Sequence, residues 1–290
     1  MSAANIDPVI WIDGSWSTKD KAAVSVYDHG LLYGDGIFEG LRIYGGKIFR
    51  LEAHMDRLEA SARALLLSIP YSRQELMAML NEAVARSKRQ DGYIRLVVTR
   101  GSGTLGLDPN RCPRALVFAI VDGIQLYPAE VYATGIPVIT ASTRRTPRSS
   151  AEARVKSLNY LNNILAKIEA QRAGCLEALM LNTEGLVVEC TADNVFLVKN
   201  GILKTPAAIH GALEGITRGV VLEVAAQAKI PTQETALALF DFYTADEAFM
   251  TGSGAEVMPL TSIDGRVIGD GKPGPVTQKL IKDFHAVTRG

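Results

Sequence analysis

The hydrophobic positions of this chain follow two different spacings, and the alternation between them predicts a mixture of strands and helices. Short apolar runs bounded by turn residues predict strands in the first half at residues 9–12, 41–44, 47–49, 93–100 and 115–121. The dipeptide Gly45-Gly46 between two of these runs is typical of a two-residue hairpin loop. Apolar residues spaced three and four positions apart predict helices at 54–66 and 72–89.

The second half of the chain predicts a similar mixture. Its strands are expected at residues 136–141, 178–182, 186–189, 195–198 and 247–251, and a helix at 215–228. A polar loop at 142–153 leads to Lys156. After it, the apolar residues recur at the spacing of one helix face, at Leu161, Ile164, Leu165 and Ile168. We therefore expect Lys156 at the entry of an amphipathic helix, with Ser157 or Asn159 as its cap.

Residues 122–135 separate the two halves and show neither spacing. Gly123, Pro128 and Gly135 interrupt this segment, which indicates a connection between domains. The prediction is an α+β protein with a small N-terminal α/β domain at 1–121, an interdomain loop at 122–135, and a larger C-terminal domain with a strand-rich core at 136–290.

Composition excludes several classes of protein. Lys and Arg number 31 and Asp and Glu also 31, with no basic stripe, so we expect no nucleic-acid partner. The longest apolar run, 115–121, is too short to span a membrane, and no secretory signal is predicted at the N-terminus. The three cysteines have no pairing or metal-ligand spacing, alone or with the four histidines. We expect a cytoplasmic protein without a metal site.

Lys156 is the first candidate for chemistry, because it stands between the apolar Val155 and the expected helix. Partial burial lowers the pKa of an ammonium group and frees the amine as a nucleophile, which a Schiff-base lysine needs. The local pattern alone favours an ordinary solvated lysine. Glu189 closes an apolar strand, where burial requires a cation such as a protonated pyridine nitrogen. Taken alone, an arginine pair or an exposed strand end is the favoured alternative.

Three segments could bind an anion. Residues 214–218 open a helix with Thr217, residues 251–255 form a loop of small residues, and Arg57 could form a phosphate fork. Ordinary capping, a plain turn and a solvated arginine are the alternatives for each segment taken alone. A lysine, an acid and three anion donors in one chain together indicate pyridoxal phosphate.

The ordered motifs resemble those of the class IV, fold-type IV pyridoxal-phosphate aminotransferases, and most closely the branched-chain amino acid aminotransferases. The motifs that carry this resemblance are residues 28–42 (DHGLLYGDGIFEGLR), 54–58 (HMDRL), 93–95 (YIR), 154–163 (RVKSLNYLNN), 187–196 (VVECTADNVF), 215–218 (GITR) and 250–256 (MTGSGAE). They span nearly the whole chain in the order that the family has. The set is therefore far more specific than any one motif.

The resemblance implies a role for each matching residue. Lys156 would be the catalytic Schiff-base lysine, Glu189 the partner of the pyridine nitrogen, and Tyr160 the partner of the phenolic oxygen. The resemblance and the three anion-binding segments together give the residues expected to hold the phosphate, which are Arg57, Gly215, Ile216, Thr217, Thr251 and Ser253. The residues expected to shape the substrate site are Tyr33, Phe38, Gly40, Arg42, Tyr93, Arg95, Tyr127, Ser253 and Gly254.

The function that the resemblance implies is ping-pong transamination between leucine, isoleucine or valine and 2-oxoglutarate, with Arg95 or Arg42 on the distal carboxylate. The family also implies a homodimer, or a larger assembly, in which residues 101–107 reach the partner's site. A pyruvate-releasing lyase of the aminodeoxychorismate type, a D-amino acid or R-amine transaminase, and a non-catalytic binding protein remain alternatives. Ser253-Gly254 stands where the family often has Thr-Ala, and residues 122–126 lack a tryptophan, so the preferred side chain stays open.

Overall fold

The computed structural model describes residues 7–290 and forms two compact units. The first unit is the chain up to Ile124 together with Val155–Asn159, and the second is Gln125–Arg154 with Tyr160–Gly290. Lys156 therefore belongs to the first unit, although the residues on either side of its segment belong to the second. If the chain were divided at a single connection, residues 155–159 would be assigned to the second unit instead.

The first unit is built on an antiparallel sheet with the strand order β2-β1-β6-β5-β3-β4. Its elements are β1 (Val9–Ile12), β2 (Ser15–Ser17), α1 (His29–Tyr33), β3 (Gly36–Tyr44), β4 (Lys47–Ile48), α2 (Leu51–Ala64), α3 (Arg73–Ser87), β5 (Gly92–Thr99) and β6 (Leu116–Asp122). Gly45 and Gly46 both have positive φ, which the expected hairpin loop requires. Ser72 and Glu75 form a capping box at α3, whose buried face carries the predicted apolar residues, Leu76 and Leu80 among them.

The second unit is built on a mixed sheet with the strand order β12-β11-β10-β13-β14-β7-β8-β9, to which β15 adds beside β14. Its elements are α4 (Ala129–Thr134), β7 (Ile136–Thr140), α5 (Leu161–Arg172), β8 (Glu177–Leu181), β9 (Val187–Cys190), β10 (Asn194–Lys199), β11 (Ile202–Pro206), α6 (Ile216–Gln227), β12 (Thr232–Thr235), α7 (Leu239–Tyr243), β13 (Glu247–Gly252), β14 (Glu256–Ile263), β15 (Arg266–Val267) and α8 (Pro275–Arg289). In residues 7–290 no helix combines the length and apolar character that a membrane crossing requires.

Helix α4 lies inside the segment that the sequence predicts as an irregular connection. It spans only Ala129–Thr134, directly after Pro128, and ends at Gly135 with positive φ. Six residues are fewer than two helical turns, so a period of 3.6 cannot show itself in the sequence. The segment 122–135 therefore contains a short helix that the sequence did not predict, and its assignment as the connection between domains stays a prediction.

Helix α5 forms where the apolar spacing predicts it, but its large apolar residues face outward. Leu161, Ile164 and Leu165 are 68%, 52% and 47% exposed in the isolated chain. The small residues Ala166 and Ala170 are buried instead, in a cluster with Ala141, Ala178 and Met180. Small side chains let a helix approach a sheet closely, so the buried face carries a weaker apolar signal than the exposed one.

Candidate active site

The backbone of Lys156 is fixed by β3 and α2 of the first unit. Phe38 N–H donates to the Lys156 carbonyl at 3.0 Å, and Lys156 N–H donates to Ser61 Oγ at 3.2 Å. Leu158 N–H donates to the Gly36 carbonyl at 2.9 Å, so the segment runs alongside the strand. Lys156 Nζ lies 4.5 Å from the centre of the Phe38 ring, and the residue is half-buried.

The expected position of Lys156 at a helix entry was wrong. Helix α5 begins at Leu161, and its first cap position is Tyr160, which makes no side-chain cap. Asn159 instead donates from Nδ2 to the Gly34 carbonyl at 2.9 Å, and Ser157 Oγ accepts from Asn159 N–H at 3.3 Å. Pairing with a strand fixes the direction of the lysine more firmly than the first turn of a helix would, since helix ends fray.

A buried carboxylate, Glu39, joins the region of Lys156 to Arg57. Arg57 donates to its two oxygens from Nε at 2.8 Å and from NH2 at 2.7 Å, and His54 Nδ1 lies 2.7 Å from Oε2. Burial raises the pKa of Glu39, but the charge and hydrogen bonds of Arg57 and the contact with His54 outweigh it and leave the pKa at about 2. The sequence indicated only Arg57; a glutamate in the apolar run of β3 was the signal for its partner.

Burial lowers the pKa of His54, and the hydrogen bond and charge of Glu39 oppose this effect. The positive charges of Arg57 and Lys156 lower the pKa further. A neutral imidazole is therefore favoured in the folded protein, which leaves one carboxylate and one guanidinium as the charged pair of this cluster.

The expected substrate residues of β3 and β5 share one face of the sheet. Phe38, Gly40 and Arg42 alternate along β3, and Gly40 and Arg42 stand opposite Arg95 and Tyr93. The Arg95 guanidinium carbon lies 4.4 Å from the centre of the Phe38 ring and 5.6 Å from that of Tyr93. A Cβ at Gly40 would come within 1.9 Å of Tyr93 Oη. Gly40 therefore provides the space that the tyrosine ring occupies.

The two arginines of this face are in different states. Arg42 NH2 pairs with Asp91 at 2.8 Å, and its guanidinium carbon lies 5.4 Å from the centre of the Tyr44 ring. Arg95 pairs with none of the carboxylates that the structure describes and contacts two aromatic rings instead. Arg95 is the arginine of this face that keeps its charge for an external anion.

Tyr33 and Tyr127, also expected in the substrate site, lie in different units. Tyr33 Oη accepts from Gly106 N–H at 2.9 Å, which ties α1 to the loop at 101–107. Tyr127 is buried in the core of the second unit, where its hydroxyl donates to Glu177 at 3.4 Å. Burial raises the pKa of Tyr127, so its hydroxyl stays protonated.

Glu189 lies in β9 of the second unit, one residue before the strand ends, and has an arginine partner. Arg145 NH2 lies 2.8 Å from Glu189 Oε1, while Leu213 N–H donates to Oε2 at 3.0 Å and Asn194 Nδ2 at 3.4 Å. Arg145 also donates to Asn163 of α5 at 2.8 Å. Within the described residues Glu189 therefore has an arginine partner, and its role toward a pyridine nitrogen stays a prediction. Sequence reasoning missed all three supporting residues because they come from separate loops and strands.

The expected phosphate donors of the second unit lie in two places, the start of α6 and the hairpin between β13 and β14. Helix α6 starts at Ile216, after Gly215 as its cap residue, and has no side-chain cap. Thr217 is buried in its first turn. In the hairpin between β13 and β14, Thr251 is 1% exposed, and its hydroxyl has no hydrogen-bond partner within the described residues. Ser253 follows in the half-buried loop.

Comparison with known proteins places this geometry in a family. The model of the family described as "Amino-transferase class IV" matches residues 36–263, which is most of the chain. The chain belongs to the class IV aminotransferases.

Three similar proteins are aminotransferases that match the chain along nearly their whole length. A "Putative branched-chain-amino-acid aminotransferase" of Methanocaldococcus jannaschii is 48% identical, with 96% of each chain covered. A "D-alanine aminotransferase" of Listeria monocytogenes is 39% identical, with 92% of this chain and 91% of the relative covered. The branched-chain amino acid aminotransferase structure of Escherichia coli superposes with a TM-score of 0.95 at 32% identity, covering 98% and 95% of the two chains.

A further similar structure was solved with its cofactor bound. The branched-chain amino acid aminotransferase of Thermobaculum terrenum, solved in its PLP-form, superposes with a TM-score of 0.88 at 29% identity, covering 98% and 95% of the two chains.

The residues of this class IV aminotransferase fit a phosphorylated pyridine cofactor. Thr251 has a buried hydroxyl without a partner among the described residues, and α6 presents uncapped backbone N–H groups, which together are the donors that a phosphate needs. A Cβ at Gly215 would come within 2.0 Å of Asn194 Oδ1, so the backbone before α6 tolerates no side chain there. Glu189 provides a fixed carboxylate for a protonated ring nitrogen.

Proposed function

We propose that this class IV aminotransferase transfers amino groups between branched-chain L-amino acids and 2-oxoglutarate, with pyridoxal 5'-phosphate as its cofactor. The observation that carries the proposal is the sheet face beside Lys156, which combines the aromatic Phe38 and Tyr93 with the uncommitted charge of Arg95. An apolar wall suits leucine, isoleucine and valine, and a cation suits the distal carboxylate of glutamate or 2-oxoglutarate.

The cofactor, when bound, supplies a ring that withdraws electrons from the substrate Cα. Lys156 would hold the cofactor covalently through Nζ, and Glu189, fixed by Arg145, would accept a hydrogen bond from the ring nitrogen. Tyr160 would donate to the phenolic oxygen. The groups that would bind the phosphate are the guanidinium of Arg57, the backbone of Gly215, Ile216 and Thr217, and the hydroxyls of Thr217, Thr251 and Ser253.

Lys156 is the catalytic residue of the proposal because its Nζ amine, when unprotonated, can take up the proton that leaves the substrate Cα. The hydrogen bonds from Phe38 and to Ser61 hold its backbone while the side chain moves. The amino group leaves its donor before the acceptor binds, so the kinetics are ping-pong.

We assign the carboxylate of the acceptor to Arg95 rather than to Arg42. Asp91 already neutralises Arg42, whereas Arg95 lies near two aromatic rings and has no described carboxylate as a partner. Phe38 and Tyr93 pack against the alkyl chain of leucine. The remaining substrate contacts are proposed at Tyr33, Gly40, Arg42, Tyr127, Ser253 and Gly254.

We also propose that the protein works as a cytoplasmic homodimer, or as a larger assembly of such dimers. The first unit exposes Leu31, Leu105 and Leu107, and the second exposes Leu161 and Ile164 on one face of α5. Exposed apolar residues grouped in this way are typical of an interface between chains. The three cysteines are free, as expected of a reducing compartment.

The visible spectrum of the purified protein tests the proposed function. We expect a yellow band from the lysine-bound cofactor that L-leucine removes and 2-oxoglutarate restores. Bleaching by D-alanine but not by L-leucine would assign the protein to D-amino acid transamination. A yellow protein that neither amino acid bleaches would favour a lyase, and a colourless protein that takes up no pyridoxal phosphate would overturn the cofactor as well.

A further inference from the structure

Glu256 has an unusual backbone at the end of the loop that the proposed function gives to the phosphate. It is the first residue of β14, it follows Ser253–Ala255, and its φ is +56°. This left-handed region is strained for a residue with a Cβ, and glycine normally occupies it at the end of a short hairpin loop. A strained residue persists only where its surroundings hold it in place.

The other end of the same loop is fixed by Gly252, which pairs with Glu256 across the hairpin. A Cβ at Gly252 would lie 1.8 Å from Asp193 Oδ1, so the backbone there touches a carboxylate. The positions of Thr251 and Ser253 therefore depend on two close constraints, one at each side of the loop. At Gly252 the constraint is close contact of the backbone, whereas at Glu256 it is exerted through the side chain of a residue of β14.

The last turn of α8 supplies that constraint. Arg289 NH2 donates to the two oxygens of Glu256 at 3.0 and 3.1 Å, and His285 Nε2 lies 3.1 Å from Oε2. The carboxylate is 7% exposed, whereas Arg289 is 48% exposed. Because His285 and Arg289 are four residues apart, both lie on the same face of the helix.

The first turn of α8 is attached to the same hairpin. Glu247, which begins β13, accepts from Val276 N–H at 3.0 Å and from Thr277 N–H at 2.7 Å. The helix is thus held at its start by the first strand of the hairpin and at its end by the second. Phe284 and Leu280 are buried between these two attachments. The end of α8 consequently has a fixed position relative to Glu256.

We propose that Glu256 is a positioning residue: its ion pair with Arg289 and its contact with His285 near the end of α8 keep residue 256 left-handed and thereby hold Thr251 and Ser253 where they bind the cofactor phosphate. The inference rests on the proposed function, because it uses the phosphate role of this loop. It extends cofactor binding to the C-terminal helix, which supplies no ligand of its own in that role.

Glycine at position 256 provides the decisive test, because it adopts positive φ without an anchor. We expect Arg289→Ala and Glu256→Ala each to speed the release of pyridoxal phosphate from the holoenzyme by about tenfold, which corresponds to about 1.4 kcal/mol. Glu256→Gly should stay within about threefold of the parent rate, and Arg289→Ala should have no further effect in that background.

The holoenzyme is diluted into a scavenger of free pyridoxal phosphate, and the decay of the absorbance of the lysine-bound cofactor measures the rate of release. The melting temperature of each variant checks that it is folded. Lys279→Ala is the control, since Lys279 lies on α8 but pairs with Asp283. An unchanged rate in Arg289→Ala, or equally fast release from the Glu256→Ala and Glu256→Gly variants, would overturn the inference. Failure of the parent protein to bind the cofactor would instead refute the proposed function.

Discussion

At the scale of single residues, charge decides which side chains are available to a substrate. Arg42 and Arg95 lie on one sheet face, yet only Arg42 has a described carboxylate partner, Asp91. Glu39 uses both oxygens on Arg57. On this sheet face, the ion pair with Asp91 therefore sets Arg42 apart from Arg95, whose charge remains available to an external anion.

The assignment of Arg95 predicts a split between substrates. Arg95→Ala should lower kcat/KM for 2-oxoglutarate by about 10- to 100-fold, because a charge-assisted hydrogen bond to the distal carboxylate is lost, and for leucine by less than about fivefold. Steady-state kinetics with each substrate check this. Arg42→Ala is the matched control and should affect both substrates alike. Equal losses for leucine and 2-oxoglutarate in Arg95→Ala would remove the carboxylate role.

The buried Glu39 predicts a pH dependence of stability. Its pKa is about 2 in the folded protein against an ordinary value of 4.5. The folded value is the lower one, so its contribution is complete above about pH 4.5 and is lost as the pH falls toward 2, on the order of 3 kcal/mol in all. Glu39→Gln should therefore be strongly destabilised at pH 7, and the difference from the parent should shrink in acid.

Urea unfolding between pH 7 and pH 3 measures this difference in the free energy of unfolding. Glu184→Gln, at an exposed glutamate, is the control and should follow the parent at every pH. A gap between the Glu39→Gln variant and the parent that stays constant down to pH 3 would show that the carboxylate charge is not the source of the stability.

At the scale of elements, backbone spacing decides where side chains fit. Strands β3 and β5 pair in register, and Gly40 leaves room for the Tyr93 ring on the neighbouring strand. Gly219 in α6, by contrast, has room for a side chain, since nothing outside the helix's own backbone lies within 4 Å of a Cβ placed there. The same substitution should therefore have opposite effects at these two positions.

Gly40→Ala should displace Tyr93, destabilise the protein by about 1–3 kcal/mol and raise the KM for leucine, because the added methyl group overlaps the tyrosine hydroxyl. Gly219→Ala should stabilise α6 by about 0.5–1 kcal/mol, as expected for alanine in a helix interior. Thermal unfolding and steady-state kinetics report the two effects. A Gly40→Ala enzyme with parental KM would show that the Tyr93 ring does not need this position.

At the scale of the whole molecule, the isolated chain leaves a group of large apolar side chains of α5 exposed to solvent. Leu161, Ile164 and Leu165 lie outward because Ala166 and Ala170 occupy the side that touches the sheet. Burial of these three side chains would require a second chain, in keeping with the proposed homodimer.

Ile164→Glu should therefore shift the protein toward monomers, because a charge buried in an apolar interface costs several kcal/mol. Sedimentation velocity at micromolar concentration distinguishes the two states. Leu66→Glu is the control, since Leu66 is 88% exposed and lies just beyond the end of α2, outside the apolar face of α5. A variant Ile164→Glu that sediments like the parent would exclude this face as the interface.

The sequence by itself determined most elements and the identity of the family. Hydrophobic spacing predicted β1, the hairpin at Gly45-Gly46 and α3, because these depend on local propensity and on which residues avoid water. The ordered motifs around Lys156 and Glu189 indicated the class IV aminotransferases, since a cofactor of fixed chemistry requires fixed residue types.

Only the tertiary structure decided which residues meet. It placed Lys156 beside β3 rather than at the start of α5, paired Glu39 with Arg57 and Glu189 with Arg145, and turned the small side of α5 inward. These contacts join residues far apart in the chain. The free energy of these contacts depends on distances and burial in three dimensions. The local spacing of residues along the chain contains no information about either.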